Sequence, residues 1–226
     1  MVISQFVFGG SDGAEPARRA ERLAMVRTQL AGRDIVEPRV LAAMAEVPRH
    51  EFVAPSLQAQ AYDDRPLPIG HGQTISQPYI VALMLQLLAP PEQGCVLEIG
   101  TGCGYQAAML GRLVAEVCTV EIVPALARQA EATLRRLGSS NVAVRAGDGR
   151  LGWPERAPFA GIVVAAAGRE IEPAWGEQLA CGGRLVVPLG GRGEQWLHVF
   201  TKESAGLRDE SVIPVRFVPL MGGSGD

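Results

Sequence analysis

The chain has 226 residues, 47% hydrophobic but only 5% aromatic, with a formal net charge of −3. That length is enough for one large domain with a full core, and the acidic balance leaves no basic footprint for nucleic acid. There is neither a basic-then-apolar leader nor a stretch of about 18 apolar residues of the kind a membrane span needs, so a cytoplasmic protein without membrane partners is expected. Cys95, Cys103, Cys118 and Cys181 show no CxxC spacing, and His50, His71 and His198 are scattered. Reduced thiols and no metal site are expected.

Residues 1–13 end in Gly-Gly-Ser-Asp-Gly and are expected to fray. Ala, Leu and Met set against Arg and Glu predict a helix over 14–29, with Gly32 as its stop. Pro38 opens a second helix through Glu46, and Pro48 closes it. The prolines and glycines of 49–73 forbid long regular elements there. Ser76 is placed to cap a helix with Pro78 in its first turn, presenting Ile80, Leu83, Met84 and Leu87 on one face up to Pro90-Pro91.

Beyond residue 94 strands and helices alternate. Strands are expected at 96–99, 117–121, 142–146, 162–166 and 184–188, with helices at 105–114, 124–137 and 173–179. This is the pattern of an α/β, doubly wound, mostly parallel sheet with right-handed crossovers. The texture then changes to two strands, 195–201 and 211–218, with a turn at Ser204–Gly206, read as a closing antiparallel pair. The expected organisation is a single domain over 14–226. It comprises a helical layer (14–93), a cofactor-binding α/β core (94–193) and C-terminal strands (194–226).

The chemistry gathers at Val96-Leu97-Glu98-Ile99-Gly100-Thr101-Gly102-Cys103-Gly104-Tyr105-Gln106. An apolar strand breaks into glycines on alternate positions and runs into a helix, whose first N–H groups can face polar or anionic ligand atoms. The dinucleotide fingerprint G-x-G-x-x-G would put its third glycine at Tyr105, whereas Gly104 comes one residue early. With Glu98 in front, the stretch reads E-x-G-x-G-x-G and resembles the S-adenosylmethionine methyltransferase pattern. Glu121 ends the next strand about twenty residues on, where a carboxylate reaches ribose hydroxyls. Asp148, between Gly147 and Gly149, follows the third strand and could accept from an adenine amino group; it could equally be a plain Asp-Gly turn. Ser76 has two open readings, helix cap or holder of a substrate oxygen. No His–Asp pattern accompanies it as a hydrolase nucleophile would require.

These segments, together with Gly72–Tyr79, Gly182–Gly190 and Phe217–Leu220, resemble the protein-L-isoaspartate O-methyltransferase family over about residues 20–220. The resemblance implies methyl transfer from S-adenosyl-L-methionine to the α-carboxylate of isoaspartyl residues in damaged proteins. S-adenosyl-L-homocysteine is the other product, and the ester closes to a succinimide unaided. It implies Ser76 as the active-site serine, with Thr74 and Ile75 beside it toward substrate. The cofactor would lie on Glu98, Gly100, Thr101, Gly102, Gly104, Tyr105, Gln106, Glu121, Asp148 and Gly149. The implied partners are isoaspartyl proteins and peptides, met by a monomer. Ala160 and Ala165 depart from the Asp and Thr usual in the family, the second near the strand's carboxyl end where substrate fit is decided. Two other readings stay open: methylation of ordinary aspartate in a dedicated peptide to form an imide, and a protein that binds the cofactor without catalysis.

Overall fold

A computed structural model describes residues 14–191 and 193–222; the expectation for 1–13 lies outside them. The described chain begins with helix α1 (Ala14–Met25), which widens into a π turn over Val26–Leu30. Helix α2 (Pro38–Glu46) has proline in its first turn and a Glu37 carboxylate that accepts from the Arg39 N–H. Residues 49–73 are less irregular than their prolines suggest. They hold 3₁₀ turns at Arg49–Phe52 and Pro55–Gln60, then strand β1 (Leu67–Gly70), which pairs antiparallel with β2 (Gln73–Ile75). Proline permits these short pieces because a 3₁₀ turn and an edge strand can both spare an N–H.

Helix α3 (Pro78–Leu88) starts one residue later than a Ser76 cap allows. Pro78 occupies the first helical position, so Gln77 is the capping residue, and it makes no side-chain cap bond. Ser76 is therefore not a helix cap. Leu83 and Met84 are buried as expected, but Val81, Ala82, Leu85 and Leu88 are buried too, while Ile80 and Leu87 are half-buried. A helix apolar all round is enclosed on most sides: α3 packs against α2 and against the sheet.

The main sheet has seven strands in the order β5-β4-β3-β6-β7-β8-β9. They are β3 (Cys95–Ile99), β4 (Glu116–Glu121), β5 (Val142–Ala146), β6 (Phe159–Val164), β7 (Leu179–Gly190), β8 (Gln195–Glu203) and β9 (Gly206–Val215). The first five are parallel, and β8 and β9 close the sheet antiparallel. Between them run α4 (Tyr105–Leu110), α5 (Pro124–Arg136) and α6 (Pro173–Gln178). α4 stops four residues short of 114, its end capped by the Gly111 N–H on the Ala107 carbonyl. β9 begins five residues earlier than expected, pairing Gly206 with Glu203.

Alternation along the strands separates two cores. Val96, Val117, Val163 and Val186 face the layer of α1–α4. Leu97, Ile99, Cys118, Val120, Ile162, Val164, Leu185 and Val187 face the side of Trp175 in α6. Burial on both faces is what makes parallel strands read as continuous apolar runs. No helix among the described residues is long and apolar enough to cross a membrane.

Candidate active site

The strand order reverses at β3: the chain moves outward through β4 and β5, then returns to β6 on β3's other side. The loops leaving β3 and β6 at their carboxyl ends diverge, and a crevice opens there. It is lined from β3 and its turn by Glu98–Cys103, from β6 by Ala165 and Ala166, and from the tail by Val218–Met221. Gln73–Ser76 form the facing wall. The tail is fixed to the β6 loop by Ala167 N–H to the Val218 carbonyl and Leu220 N–H to the Ala167 carbonyl, both 2.8 Å.

The glycines divide their work. Gly100 leaves β3 at φ +89°, a conformation that favours glycine. The Gly102 N–H points at Glu121 and donates to its Oε2 at 2.7 Å. Gly104 does not line the crevice: a side chain there would press on Ala130 and Leu134 of α5 at 3.2–3.3 Å. Its place is helix packing. Gly149, in the loop after β5, lines the crevice and lies against Ile99, whose Cγ2 would be 2.4 Å from an added Cβ. α6 clamps this loop: Trp175 Nε1 donates to the Gly149 carbonyl at 2.9 Å and Gln178 Nε2 to the Leu151 carbonyl at 2.9 Å.

Two carboxylates share the crevice. Glu121 is 4% exposed and already holds two backbone donors, Gly102 N–H and, at 2.9 Å on Oε1, Val123 N–H. Glu98 is fully buried. Its Oε2 meets the Thr119 hydroxyl at 2.6 Å, and that hydroxyl meets Thr101 Oγ1 at 2.6 Å. Glu98 and Gln106 both line the crevice; Glu98 Oε1 and Gln106 Nε2 make no hydrogen bond of ordinary length and angle, yet the Gln106 amide still acts on the Glu98 carboxyl as a donor. Burial pushes the Glu98 carboxyl up to about 8, and the neighbouring Glu121 charge adds to the shift.

On the facing wall, Ile75 is buried and pairs with Leu67 across the β1–β2 hairpin, while Thr74 is exposed and Ser76 half-buried. The Ser76 carbonyl accepts from Arg49 Nη2 at 2.8 Å. Of the expected residues, Thr74, Ile75, Ser76, Glu98, Gly100, Thr101, Gly102, Tyr105, Gln106, Glu121 and Gly149 share one crevice; Gly104 and Asp148 do not line it. Asp148 Oδ1 accepts from the Arg150 N–H at 2.9 Å, an Asx turn. Ala165 sits on the crevice floor beside Gly100, whereas Ala160 lies at the far end of β6 near Gly94.

Thr119, Gln73, Ala166 and the wall Val218–Met221 went unassigned in the sequence. The wall had a signal in Phe217–Leu220, but nothing local says that a segment after the last strand folds back to pair Pro219 with Ala167 and close the crevice. Thr119 is mid-strand, and only its register with Glu98 reveals its role.

Comparison with known proteins places the chain in a family. Residues 20–225 match the model of the protein-L-isoaspartate (D-aspartate) O-methyltransferase family. A protein-L-isoaspartate O-methyltransferase of Methanoregula boonei is 56% identical over 205 residues, 91% of this chain and 94% of that protein. A solved protein-L-isoaspartate O-methyltransferase superposes with a TM-score of 0.80 at 30% identity, covering 90% of this chain and 66% of that one. A Plasmodium falciparum chain assigned to the same activity, in complex with S-adenosyl-L-homocysteine, superposes at 0.78 over 88% of this chain and 98% of its own; at 23% identity it speaks for the fold alone.

Proposed function

The chain belongs to the protein-L-isoaspartate O-methyltransferase family, and from that premise we propose that its crevice joins a cofactor held on the β3 side to an isoaspartyl carboxylate oriented by Ser76. The protein is an S-adenosylmethionine-dependent enzyme that methylates isoaspartyl residues. The observation that carries the division of labour is the crevice itself. Two buried carboxylates and a glycine turn form one wall, and a short hairpin ending in Ser76 forms the other.

The residues present fit the cofactor. Glu98 Oε1 and Gln106 Nε2 are a buried acceptor and donor that make no well-formed hydrogen bond in this structure, the first suited to a ligand ammonium. Gly100 and Gly102 bring backbone close to the ligand, and Glu121 retains lone pairs for vicinal hydroxyls beyond its two backbone bonds. Gly149 and Ala166 offer the flat, side-chain-poor surface a base requires. When bound, S-adenosylmethionine supplies a methyl group on a positively charged sulfur.

The chain's own task is positioning. A carboxylate with a pKa of about 4 is already ionised at neutral pH, so no base is needed, and among the described residues no His or Lys lines the crevice. The Ser76 hydroxyl donates to one carboxylate oxygen and leaves the other free to face the cofactor side. The apolar tail, Val218–Leu220, excludes water from the reacting end. Holding reactants in line supplies roughly 7–11 kcal/mol.

The hairpin edge offers main-chain groups to an extended peptide, as in strand addition. A pocket that fixes that backbone places the carboxylate of an isoaspartyl residue on Cα. Ordinary aspartate puts it one methylene further out. A displacement near 1 Å costs about a hundredfold in rate, so kcat/KM for isoaspartyl peptides should exceed that of their aspartyl twins by at least that factor across unrelated sequences. Equal rates, or activity on a single peptide only, would defeat the repair reading and favour a dedicated peptide substrate.

A further inference from the structure

On that reading the crevice takes an anion, yet among the described residues its lining includes Glu98 and Glu121 and no Arg, Lys or His. A cation stands one layer behind. Arg49 is completely buried, and among the described residues no carboxylate pairs with it. Its Nε donates to the Ala61 carbonyl and its Nη2 to the Ser76 carbonyl, both at 2.8 Å. Its buried Nη1 makes no well-formed hydrogen bond, although the Tyr105 side chain also acts on the guanidinium as a hydrogen-bonding group. The guanidinium carbon lies 4.9 Å from the centre of the Tyr105 ring, and its charge also reaches the Cys103 thiol. Ser76, Cys103 and Tyr105 all line the crevice. Arg49 thus touches both walls from behind.

A buried charge without a counter-ion is costly, and proteins normally pair it. Carbonyl oxygens and an aromatic face satisfy much of Arg49's hydrogen-bonding geometry but leave its full charge uncompensated. In low-dielectric surroundings that charge acts over several ångströms. The substrate carboxylate, delivered to the Ser76 hydroxyl, is the anion that completes it.

We propose that Arg49 is a positioning residue and fixed counter-charge for the substrate: it holds the Ser76 segment by its carbonyl, and its field makes the site prefer the carboxylate over the neutral ester formed from it. The proposal rests on the reading of Ser76 as the substrate-side residue and adds the source of charge selectivity. Methylation removes the substrate's charge, so the attraction to Arg49 ends with the reaction and the ester is released more readily than the acid. A cationic sulfur would also attract the carboxylate, but the homocysteine product has none. The complex with S-adenosyl-L-homocysteine therefore isolates Arg49's share.

The test measures binding of an isoaspartyl peptide and its α-carboxamide twin to the enzyme saturated with S-adenosyl-L-homocysteine. The expected preference for the carboxylate is tenfold or more in the wild type, below threefold in Arg49→Met, and largely kept in Arg49→Lys, which retains the charge. A purely structural role would weaken both peptides alike and leave their ratio unchanged. Homocysteine-product affinity within threefold of wild type certifies that a variant's site is intact. A wild-type ratio near one, or an unchanged ratio in intact Arg49→Met, overturns the proposal. Should Arg49→Met fail to fold, Ser76→Ala decides. A preference of several-fold that survives loss of the hydroxyl supports Arg49, and a ratio of one assigns the selectivity to Ser76. Methyl transfer by the wild type to the same isoaspartyl peptide, run alongside, separates failure of this inference from failure of the substrate reading.

Discussion

At the scale of the residue, Glu98 and Glu121 do different work with the same functional group. Glu121 spends both oxygens on backbone N–H groups that shape the glycine turn and its own loop. A carboxamide has one acceptor oxygen and cannot serve both. Glu121→Gln should therefore weaken S-adenosylmethionine and its demethylated product alike, by roughly 1.5–3 kcal/mol, the range for hydrogen bonds to a charged group; calorimetry on the folded variant checks it, and unchanged affinity would remove Glu121 from the site. Glu98 is buried, and its carboxyl is raised from the ordinary glutamate range to about 8. Between those two values the folded chain holds a proton that the unfolded chain has released. Its contribution to stability therefore falls as pH rises through that window, by at most about 1.4 kcal/mol per unit. Glu98→Gln cannot ionise, so its melting temperature relative to wild type should climb from pH 5 to 8 in the absence of cofactor and level off on either side. A difference that stays flat with pH would show that Glu98 is ionised throughout.

At the scale of the element, β3 works through both faces of its carboxyl end. Glu98 faces the helical layer and meets Thr119 of β4, while Ile99 faces the other core and props the loop after β5. The 2.4 Å approach that a Gly149 side chain would make to Ile99 predicts that Gly149→Ala displaces the loop and costs roughly 1–3 kcal/mol, as overpacking does. Ile99→Ala makes the room, so the two changes should couple favourably in a double-mutant cycle read by denaturant unfolding. Strict additivity would mean the loop moves freely. α6 holds the same loop from outside, and Lys202 of β8 steadies α6 by donating to the Gly176 and Leu179 carbonyls at 2.8 and 2.6 Å. Trp175→Phe keeps one aromatic ring in the core but loses the rest of the indole and its bond to the Gly149 carbonyl, so cofactor affinity should drop severalfold with little change in peptide KM. Equal loss in both would place Trp175 in general stability.

At the scale of the whole molecule, the central parallel strands β3, β4 and β6 were legible because both their faces are buried and they read as apolar runs, whereas edge strand β5 is half-buried to exposed and was marked by its flanking glycines. The crevice residues carried by the E-x-G-x-G-x-G turn were legible for the same reason. Gly104 was misleading: the spacing groups it with Gly100 and Gly102, but its missing side chain serves contact with α5 rather than the crevice. Ser76 was ambiguous because Ser before a helix suits a cap, and only Pro78 at the first helical position moves the cap to Gln77. The β1–β2 hairpin was hidden by its prolines and glycines. Arg49 had no sequence signal at all, since its burial and its reach to Ser76 exist only in the assembled fold.

The walls of the crevice also have an order in time. A ribosome makes the hairpin with Ser76 first, then the glycine turn, Glu121 and the loop around Gly149, and Val218–Met221 last of all the lining residues. A nascent chain can thus possess every charged group of the site while the side that shuts out water is still unsynthesised. The tail's two bonds to Ala167 form only after that last segment is made, so the crevice gains its final wall at the end of synthesis.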